Sequence, residues 1–274
     1  MPGQIDLRKP VVSGQFYPSG AKDLKALISS FANKLALKKD IIGAILPHAG
    51  YIYSGRVAVE TVSVSNIKEN VVLLGPNHSG LGADFSIMSE GIWQTPLGNI
   101  EINAELASLF LSKSSQLKID VLAHQNEHSL EVELPILQYF NDNFKIVPIT
   151  IKSFNLNLLK NLAKDLAQVI KTNNLKDSTV FFASSDMTHY EPKEMAEKKD
   201  SLAIEAILAL DEDKLDGVVR DLNVSMCGLA PVVVLVKAAK LLGATVAQLI
   251  KYQTSAEASG DASSVVGYAG ITIY

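Results

Sequence analysis

The chain has 274 residues, of which 47% are hydrophobic and 20% are charged, and its formal net charge is −4. This length and apolar content allow a sizeable core, and we expect one domain spanning residues 1–274. The mild acidity, without a local cluster of basic residues, argues against nucleic acid as a partner. The first residues show no signal-peptide pattern, and no apolar run approaches the ~18 residues of a membrane span, so we expect a cytoplasmic protein that is not embedded in a membrane.

Strand-like and helix-like segments alternate along the chain. Four short runs rich in Ile, Val and Phe have the composition of strands buried on both faces of a largely parallel sheet, at residues 41–46, 71–74, 145–151 and 179–183. Helical patterns occupy residues 55–64, 103–112, 129–139, 156–171, 193–210 and 230–242. The alternation predicts an α/β fold with helices on both faces of a central sheet.

Three segments complicate this pattern. Residues 85–102 alternate apolar and polar side chains around Gly and Pro, which predicts a hairpin beside the sheet. Residues 245–252 and 264–274 predict two more strands, joined by a turn at 256–263, so we expect a mixed sheet. Pro135 falls inside a predicted helix, which either begins near Pro135 or is kinked there.

All five histidines lie in short motifs crowded with turn-forming or reactive residues. His48, His78 and His189 each follow a predicted strand. Strand ends in α/β proteins are where ligands bind, so we expect a site there. His48 and His78 are the leading metal ligands, because neutral imidazole binds Zn, Fe, Cu and Ni. For either residue alone, a loop histidine bonded to a backbone carbonyl is the alternative.

Cys227 is the only cysteine, so no intrachain disulfide can form. It precedes a predicted helix, and the positive end of the helix dipole would lower the pKa of a thiol there and favour the thiolate. A buried, unreactive cysteine is the alternative. If Cys227 joins two histidines, the three ligands leave a position open, as in catalytic sites.

Asp186 and His189 are separated by three positions, which places them on one side of a chain that turns helically. An aspartate that orients a histidine is a common general-base arrangement, and a helix N-cap is the alternative for Asp186. We favour a site role for His189 with Asp186 beside it.

A fourth motif surrounds Glu127. The i, i+4 spacing of His124 and His128 binds metal only when both lie on one helix face, and the intervening residues are typical of a loop. His128 is therefore the better candidate for the pocket. Glu127 or Glu131 could serve as an acid or base, although a carboxylate at a helix start is the plainer interpretation of Glu131. Nucleotide-binding glycine motifs, His-Glu-x-x-His and Gly-x-Ser-x-Gly do not occur in the chain.

Ordered motifs extend along nearly the whole chain. They are Arg8-Lys9-Pro10, Gly14-Gln15-Phe16-Tyr17-Pro18, Pro47-His48-Ala49-Gly50-Tyr51 with Tyr53-Ser54-Gly55, Gly75-Pro76-Asn77-His78, Trp93-Gln94-Thr95-Pro96-Leu97-Gly98, Glu127-His128-Ser129-Leu130-Glu131 with Leu134-Pro135, Ser184-Ser185-Asp186-Met187-Thr188-His189-Tyr190, Cys227-Gly228 and Ser264-Val265-Val266-Gly267-Tyr268-Ala269-Gly270. Together they resemble the Memo family, the "mediator of ErbB2-driven cell motility" proteins, whose microbial members are also called AmmeMemoRadiSam system protein B.

This resemblance implies a fold similar to the class III extradiol, non-haem iron dioxygenases. It places His48, His78 and Cys227 as ligands of Fe(II) or Cu, with Zn as a further option, and His189 in the acid/base position beside Asp186. The expected pocket residues are His128, Glu127, Tyr51 and Asn77. Cysteine stands where the dioxygenases have a carboxylate, and a thiolate is softer and can itself be oxidised, which argues against extradiol cleavage as such.

Three functions follow as hypotheses. A metal-dependent redox enzyme acting on an unknown small molecule is favoured. The second is a non-catalytic peptide- or phosphopeptide-binding module on a dioxygenase-like fold, because a fold alone does not establish activity. The third is a zinc-dependent hydrolase with Asp186 or Glu127 as its base. The microbial family name also implies a radical S-adenosylmethionine enzyme and an AMMECR1-like protein as partners.

Overall fold

A computed structural model describes residues 7–274 of the chain. The strands in this range are β1 (Leu7–Arg8), β2 (Gly43–Leu46), β3 (Asn70–Pro76), β4 (Phe85–Ile87), β5 (Ile92–Thr95), β6 (Gly98–Glu101), β7 (Lys118–Ile119), β8 (Lys145–Ile151), β9 (Thr179–Ser184), β10 (His189–Glu191), β11 (Ala247–Thr254) and β12 (Val265–Ile273). The α-helices are α1 (Ala21–Phe31), α2 (Arg56–Ser63), α3 (Ala104–Lys113), α4 (Leu122–Gln125), α5 (Leu134–Phe140), α6 (Leu156–Thr172), α7 (Lys193–Leu208), α8 (Glu212–Asp221), α9 (Leu229–Leu241) and α10 (Ala256–Ser259).

One large mixed sheet organises the fold. Its strand order is β10-β12-β2-β9-β3-β8-β4-β7, and β11 pairs with β12. The central strands β2, β9, β3 and β8 run parallel, whereas β12 and β4 are antiparallel to their neighbours β2 and β8. The predicted α/β class and the predicted mixed sheet are confirmed.

The central strands are buried on both faces because helices cover each side of the sheet. In β3, Val71 and Leu73 face one hydrophobic core while Val72 and Leu74 face the other. This alternation follows from the period of two in an extended chain. Side chains of α1, α2 and α5 complete the first core, and those of α3, α6 and α9 complete the second.

The boundaries of most elements lie close to their predicted positions. The strand predicted at residues 145–151 is reproduced without change as β8, and the strands predicted at the end of the chain are β11 and β12. The turn predicted between them contains the short helix α10. The helix predicted at residues 55–64 is α2, and a wide, π-type helical turn that was not predicted, Tyr51–Gly55, precedes it.

The helix predicted at 129–139 begins at Leu134 with Pro135 in its first turn, which confirms the first of the two predicted alternatives, since proline lacks the N–H that a helix interior needs. Another prediction was wrong in part. The predicted hairpin at 85–102 is formed only by β5 and β6, which join β1 in a separate three-stranded sheet. The first strand of that segment, β4, pairs with β8 in the main sheet instead.

Helices α1 and α8 were not predicted. Asp211 caps α8, because its carboxylate accepts hydrogen bonds from the N–H groups of Asp213 and Lys214. Within residues 7–274, no helix combines the length and apolar character needed to cross a bilayer.

Candidate metal centre

The candidate centre lies at the carboxyl ends of the three adjacent parallel strands β2, β9 and β3. His48, Asp186 and His78 each follow the last residue of one of these strands by two positions. Parallel strands end at the same edge of a sheet, so these three side chains converge. The loop before α5 adds Glu127 and His128 to the same place.

Three imidazoles form the centre of this site. The rings of His78 and His128 are stacked with centroids 4.8 Å apart, and His48 lies edge-on to both, at 5.2 Å from His78 and 5.7 Å from His128. One nitrogen from each of the three lies within 4.8 Å of the others. The ligand atoms of His48, Asp186 and Cys227 form a second group within the same distance. His48 belongs to both groups.

The predicted ligand set of His48, His78 and Cys227 therefore combines members of these two groups. Nε2 of His48 lies 3.4 Å from Sγ of Cys227. His128, predicted only as a pocket residue, is as close to His48 and His78 as a third ligand would be. A donor set of imidazoles with an adjacent thiol suits Fe(II), Cu or Zn better than Mg²⁺ or Ca²⁺, which prefer oxygen.

Glu127 orients His78. Its Oε1 lies 2.9 Å from Nδ1 of His78, and its two oxygens also accept the N–H groups of His78, at 2.6 Å, and Ser129, at 2.9 Å. Burial acts to raise the pKa of Glu127, but the bond and charge of His78 and these N–H groups outweigh it and lower the pKa from 4.5 to about 2. Glu127 is therefore ionised, Nδ1 of His78 carries a proton, and Nε2 is left for a ligand.

His48 is held in a drier environment. Its Nδ1 lies 2.8 Å from Oγ of Ser184, and its backbone N–H donates to Asp186 at 2.9 Å. Burial, followed by the neighbouring His78 and His128, lowers the pKa of His48 well below 6.5. His48 is thus a neutral imidazole, the form that binds metal.

Cys227 occupies its predicted position just before the start of α9, and the pKa of its thiol agrees with the alternative of an unreactive cysteine rather than with a pKa lowered by the helix dipole. Its Sγ accepts a hydrogen bond from the N–H of Asp186 at 3.2 Å. Burial, and then the negative charge of Asp186, raise the pKa of the Cys227 thiol well above its usual range. Desolvation thus outweighs the helix dipole, and a bound metal ion would be needed to hold the thiolate.

Gly228 allows this placement of Cys227. A Cβ atom at Gly228 would lie 2.3 Å from the carbonyl oxygen of Ser184 and 2.4 Å from Cβ of Ser185. Only glycine therefore lets the start of α9 pack against the end of β9, which brings the thiol to His48.

His189 is oriented by a different group from the predicted Asp186. The ring Nδ1 of His189 lies 2.9 Å from the carbonyl oxygen of Ser225, which can only accept, so Nδ1 donates and Nε2 is unprotonated in the neutral ring. The carboxylate of Asp186 accepts the N–H of His48 instead. Residues 185–188 are not helical, and the side chains of Asp186 and His189 form hydrogen bonds with other groups rather than with each other.

Two of the predicted pocket residues, Tyr51 and Asn77, form contacts that stabilise the fold. Tyr51 is buried in the hydrophobic core, and its hydroxyl donates to the carbonyl oxygen of Val132 at 2.7 Å. The side chain of Asn77 closes its own loop, because it donates to the carbonyl oxygen of Leu81 and accepts the N–H of Gly80. The structure places neither side chain among the clustered histidines.

His124 and Glu131 lie outside the cluster. His124 is fully buried, donates through Nε2 to the carbonyl oxygen of Ser86 at 3.2 Å, and has its pKa lowered by burial to about 4. Helix α4 ends before His128, so the two histidines share no helix face. Glu131 forms a buried ion pair with Arg8 at 2.8 Å and accepts the hydroxyl of Tyr17, which ties the start of the described chain to the loop before α5.

The sequence interpretation missed Ser184, Glu133 and Phe16. Ser184 contacts His48, Glu133 contacts Ser184 at 2.9 Å, and the ring of Phe16 packs edge-on against His128 at 5.0 Å. Ser184 is the last residue of β9, so its position at a strand end was a usable signal. Glu133 carried a weaker one, as a lone carboxylate in the otherwise apolar run from Val132 to Leu137.

The mixed α/β fold and the three imidazoles at the carboxyl edge of its parallel strands define an α/β protein with a clustered-histidine site. Comparison with known sequences narrows this class: the pattern of the Memo-like protein family matches residues 8–272. A MEMO1 family protein of Methanopyrus kandleri is 42% identical, covering 96% of this chain and 98% of that protein. MEMO1 family proteins of Methanothermobacter thermautotrophicus and Nitrosopumilus maritimus are 40% and 39% identical, each covering 97% of this chain and 100% and 98% of their own lengths. The chain belongs to the Memo-like family, as the ordered motifs predicted.

Proposed function

We propose that this protein is a metal-dependent redox enzyme with one transition metal ion, Fe(II) or Cu, held by His48 and His78. Cys227 is the third ligand in this proposal and His128 is its competitor. The observation that carries the proposal is the convergence of two imidazoles whose Nδ1 atoms are engaged by Ser184 and Glu127. Such outer contacts orient metal-binding histidines and leave Nε2 for the ion.

Three protein ligands leave coordination positions open. An ion held in this way would supply a Lewis acid and a redox centre for a small molecule bound at those positions. His189 would move protons: its Nδ1 is tied to the carbonyl oxygen of Ser225, so Nε2 can accept a proton.

The contacts of Glu127 argue against it as the base of a zinc hydrolase. Such an enzyme needs a carboxylate that can take a proton from a metal-bound water. Both oxygens of Glu127 already accept hydrogen bonds from His78 or Ser129, and its pKa is lowered to about 2. Asp186 would be the base in that alternative, because only one of its oxygens accepts the N–H of His48 and burial raises its pKa to about 6. The peptide-binding alternative differs from both enzymes because it requires no bound metal ion.

The test is metal content after purification under reducing, oxygen-free conditions. We expect about one ion per chain in the wild type and loss of stoichiometric metal in His48→Ala and His78→Ala. The matched control is His189→Asn, which should keep its metal because His189 is assigned to proton transfer. Nitric oxide binding followed by electron paramagnetic resonance would report open positions on Fe(II).

Two further variants decide the third ligand. Cys227→Ser should remove the thiolate-to-metal charge-transfer absorption of a Co(II)- or Cu-loaded protein, whereas His128→Ala should leave that absorption in place. A wild type that binds no ion, or a double variant of His48 and His78 that binds as well as the wild type, would refute the proposal.

A further inference from the structure

We propose that Glu133 is a neutral carboxylic acid that acts through Ser184 to hold His48 in the tautomer protonated at Nδ1. Glu133 is then a positioning residue for the metal centre. The tautomer concerns the protein alone, whereas its consequence for metal affinity rests on the proposed function.

Ser184 is the junction of this network. Its Oγ lies 2.8 Å from Nδ1 of His48, 2.8 Å from the carbonyl oxygen of Ser129 and 2.9 Å from Oε1 of Glu133. The relative exposures of His48, Ser184 and Glu133 are 3%, 1% and 1%. Water therefore cannot readily substitute for any of these three contacts.

The three contacts can all be hydrogen bonds in only one way. A hydroxyl group has one hydrogen to donate and two lone pairs to accept with. The carbonyl oxygen of Ser129 can only accept, so it must receive the hydrogen of Ser184. The two remaining partners must then both donate, which requires Nδ1–H on His48 and a protonated carboxyl group on Glu133. Any other assignment leaves a pair of heavy atoms at 2.8–2.9 Å with no hydrogen between them.

The surroundings of Glu133 fit a neutral group. Among residues 7–274, no Lys, Arg or His forms an ion pair with Glu133, and its Oε2 has no hydrogen-bond partner. An ionised carboxylate in such a place would carry a large desolvation cost. Burial, together with the nearby charge of Asp186, raises the pKa of Glu133 well above 4.5.

The tautomer determines what His48 presents to the centre. With the proton on Nδ1, the lone pair of Nε2 points towards Cys227, whose Sγ lies 3.4 Å away. With the proton on Nε2, His48 could not ligate an ion through that nitrogen. Glu133 and Ser184 thus orient His48 as a metal ligand without binding the metal themselves.

The first test needs no metal. Nitrogen-15 NMR of the metal-free protein should show His48 as the Nδ1–H tautomer in the wild type and in Glu133→Gln, whose amide can still donate to Ser184. Ser184→Ala and Glu133→Leu should give a mixture of tautomers. Infrared difference spectra of wild type against Glu133→Gln should contain the C=O stretch of a protonated carboxylic acid.

The second test is the affinity for Co(II), measured by its absorption. Ser184→Ala should bind about 10- to 100-fold more weakly than the wild type, with Glu133→Leu weakened in the same direction and Glu133→Gln close to the wild type. If Glu133→Leu does not fold, the infrared band and the Ser184→Ala variant still decide the question.

Three results would overturn the inference. The first is an Nε2–H tautomer of His48 in the wild type, and the second is an infrared difference spectrum in which Glu133→Gln removes the band of an ionised carboxylate instead of that of a carboxylic acid. The third is a Ser184→Ala variant with an unchanged tautomer and an unchanged affinity for Co(II). A wild type that binds no Co(II) but shows the Nδ1–H tautomer and the acid band would refute the proposed function and leave the tautomer assignment standing.

Discussion

His48 and His78 enter the same centre but are held by opposite chemistry. His78 has a side chain that is 35% exposed and an ionised partner, Glu127, whereas His48 is buried and is held by Ser184. Both partners depend on one segment, residues 127–133, which supplies Glu127 to His78 and both Ser129 and Glu133 to Ser184.

The difference arises from the number of donors that each carboxyl group meets. Glu127 receives two backbone N–H groups as well as the ring of His78, and these stabilise its negative charge. Among the residues that the structure describes, Glu133 forms a hydrogen bond only with the hydroxyl of Ser184, whose hydrogen is already donated to Ser129. Two glutamates six positions apart therefore have pKa values shifted in opposite directions.

Removal of the charge on Glu127 should have the largest effect. The lowering of its pKa from 4.5 to about 2 corresponds to roughly 3 kcal/mol of stabilisation at neutral pH, and its side chain is fully buried. We expect Glu127→Gln to lower the free energy of unfolding by about this amount in urea denaturation. Glu133→Gln is the matched control, and equal losses in the two variants would contradict the comparison.

Gly228→Ala should disturb the contacts of His48 and leave those of His78 unchanged. The new Cβ would meet the backbone of Ser184, so α9 or the end of β9 must shift, at a cost of about 1–3 kcal/mol. The hydrogen bonds of His78 should persist in NMR spectra while those of His48 change. The control is Gly217→Ala in α8, where, apart from its neighbours in the helix, no atom of residues 7–274 lies within 4 Å of the added Cβ, and this variant should be neutral or slightly stabilised.

The two glutamates should give stability opposite dependences on pH. The pKa of Glu127 is lowered on folding, so its contribution is present above 4.5 and is lost as pH falls towards about 2. The pKa of Glu133 is raised on folding, so its contribution is present below 4.5 and is lost as pH rises through the raised value. Urea denaturation at several pH values should show Glu133→Gln gaining on the wild type as pH rises. A gain on acidification would contradict this assignment.

The smallest expected effect is a shift in the pH dependence of metal binding. Burial acts to lower the pKa of His78, but the hydrogen bond and charge of Glu127 raise it above 6.5. Ligation requires the neutral ring, so the affinity for Co(II) should begin to fall on acidification at a pH above 6.5. Glu127→Gln should move the midpoint of this fall to lower pH. An unchanged midpoint would show that protonation of His78 does not compete with metal binding.

Local patterns were sufficient to find the strands and to expect a site at their ends. The apolar runs predicted β3, β8 and β9 almost to the residue, because strands buried on both faces must be apolar throughout. The motifs around His48 and His78 identified two members of the cluster for the same reason, since each follows such a strand.

Local patterns failed where contacts between distant segments decide the outcome. The helical pattern included residues 129–133, but in the structure these residues form turns. They pack closely against β3, because a Cβ at Gly75 would lie 2.7 Å from Oγ of Ser129. The pKa predicted for Cys227 considered only its own helix and omitted the burial and the charge of Asp186 that act on it. Ser184 and Glu133 could not be joined from sequence, since 51 positions separate them.

The sequence by itself determined the class of fold, the family and the residue types available for a metal centre, because hydrophobic periodicity and ordered motifs are properties of the chain. The tertiary structure alone decided which histidines meet, which carboxyl group is charged and which atom of His48 faces Cys227. Proton positions follow from the donors and acceptors that folding brings within reach of each group, and those come from segments far apart in the chain.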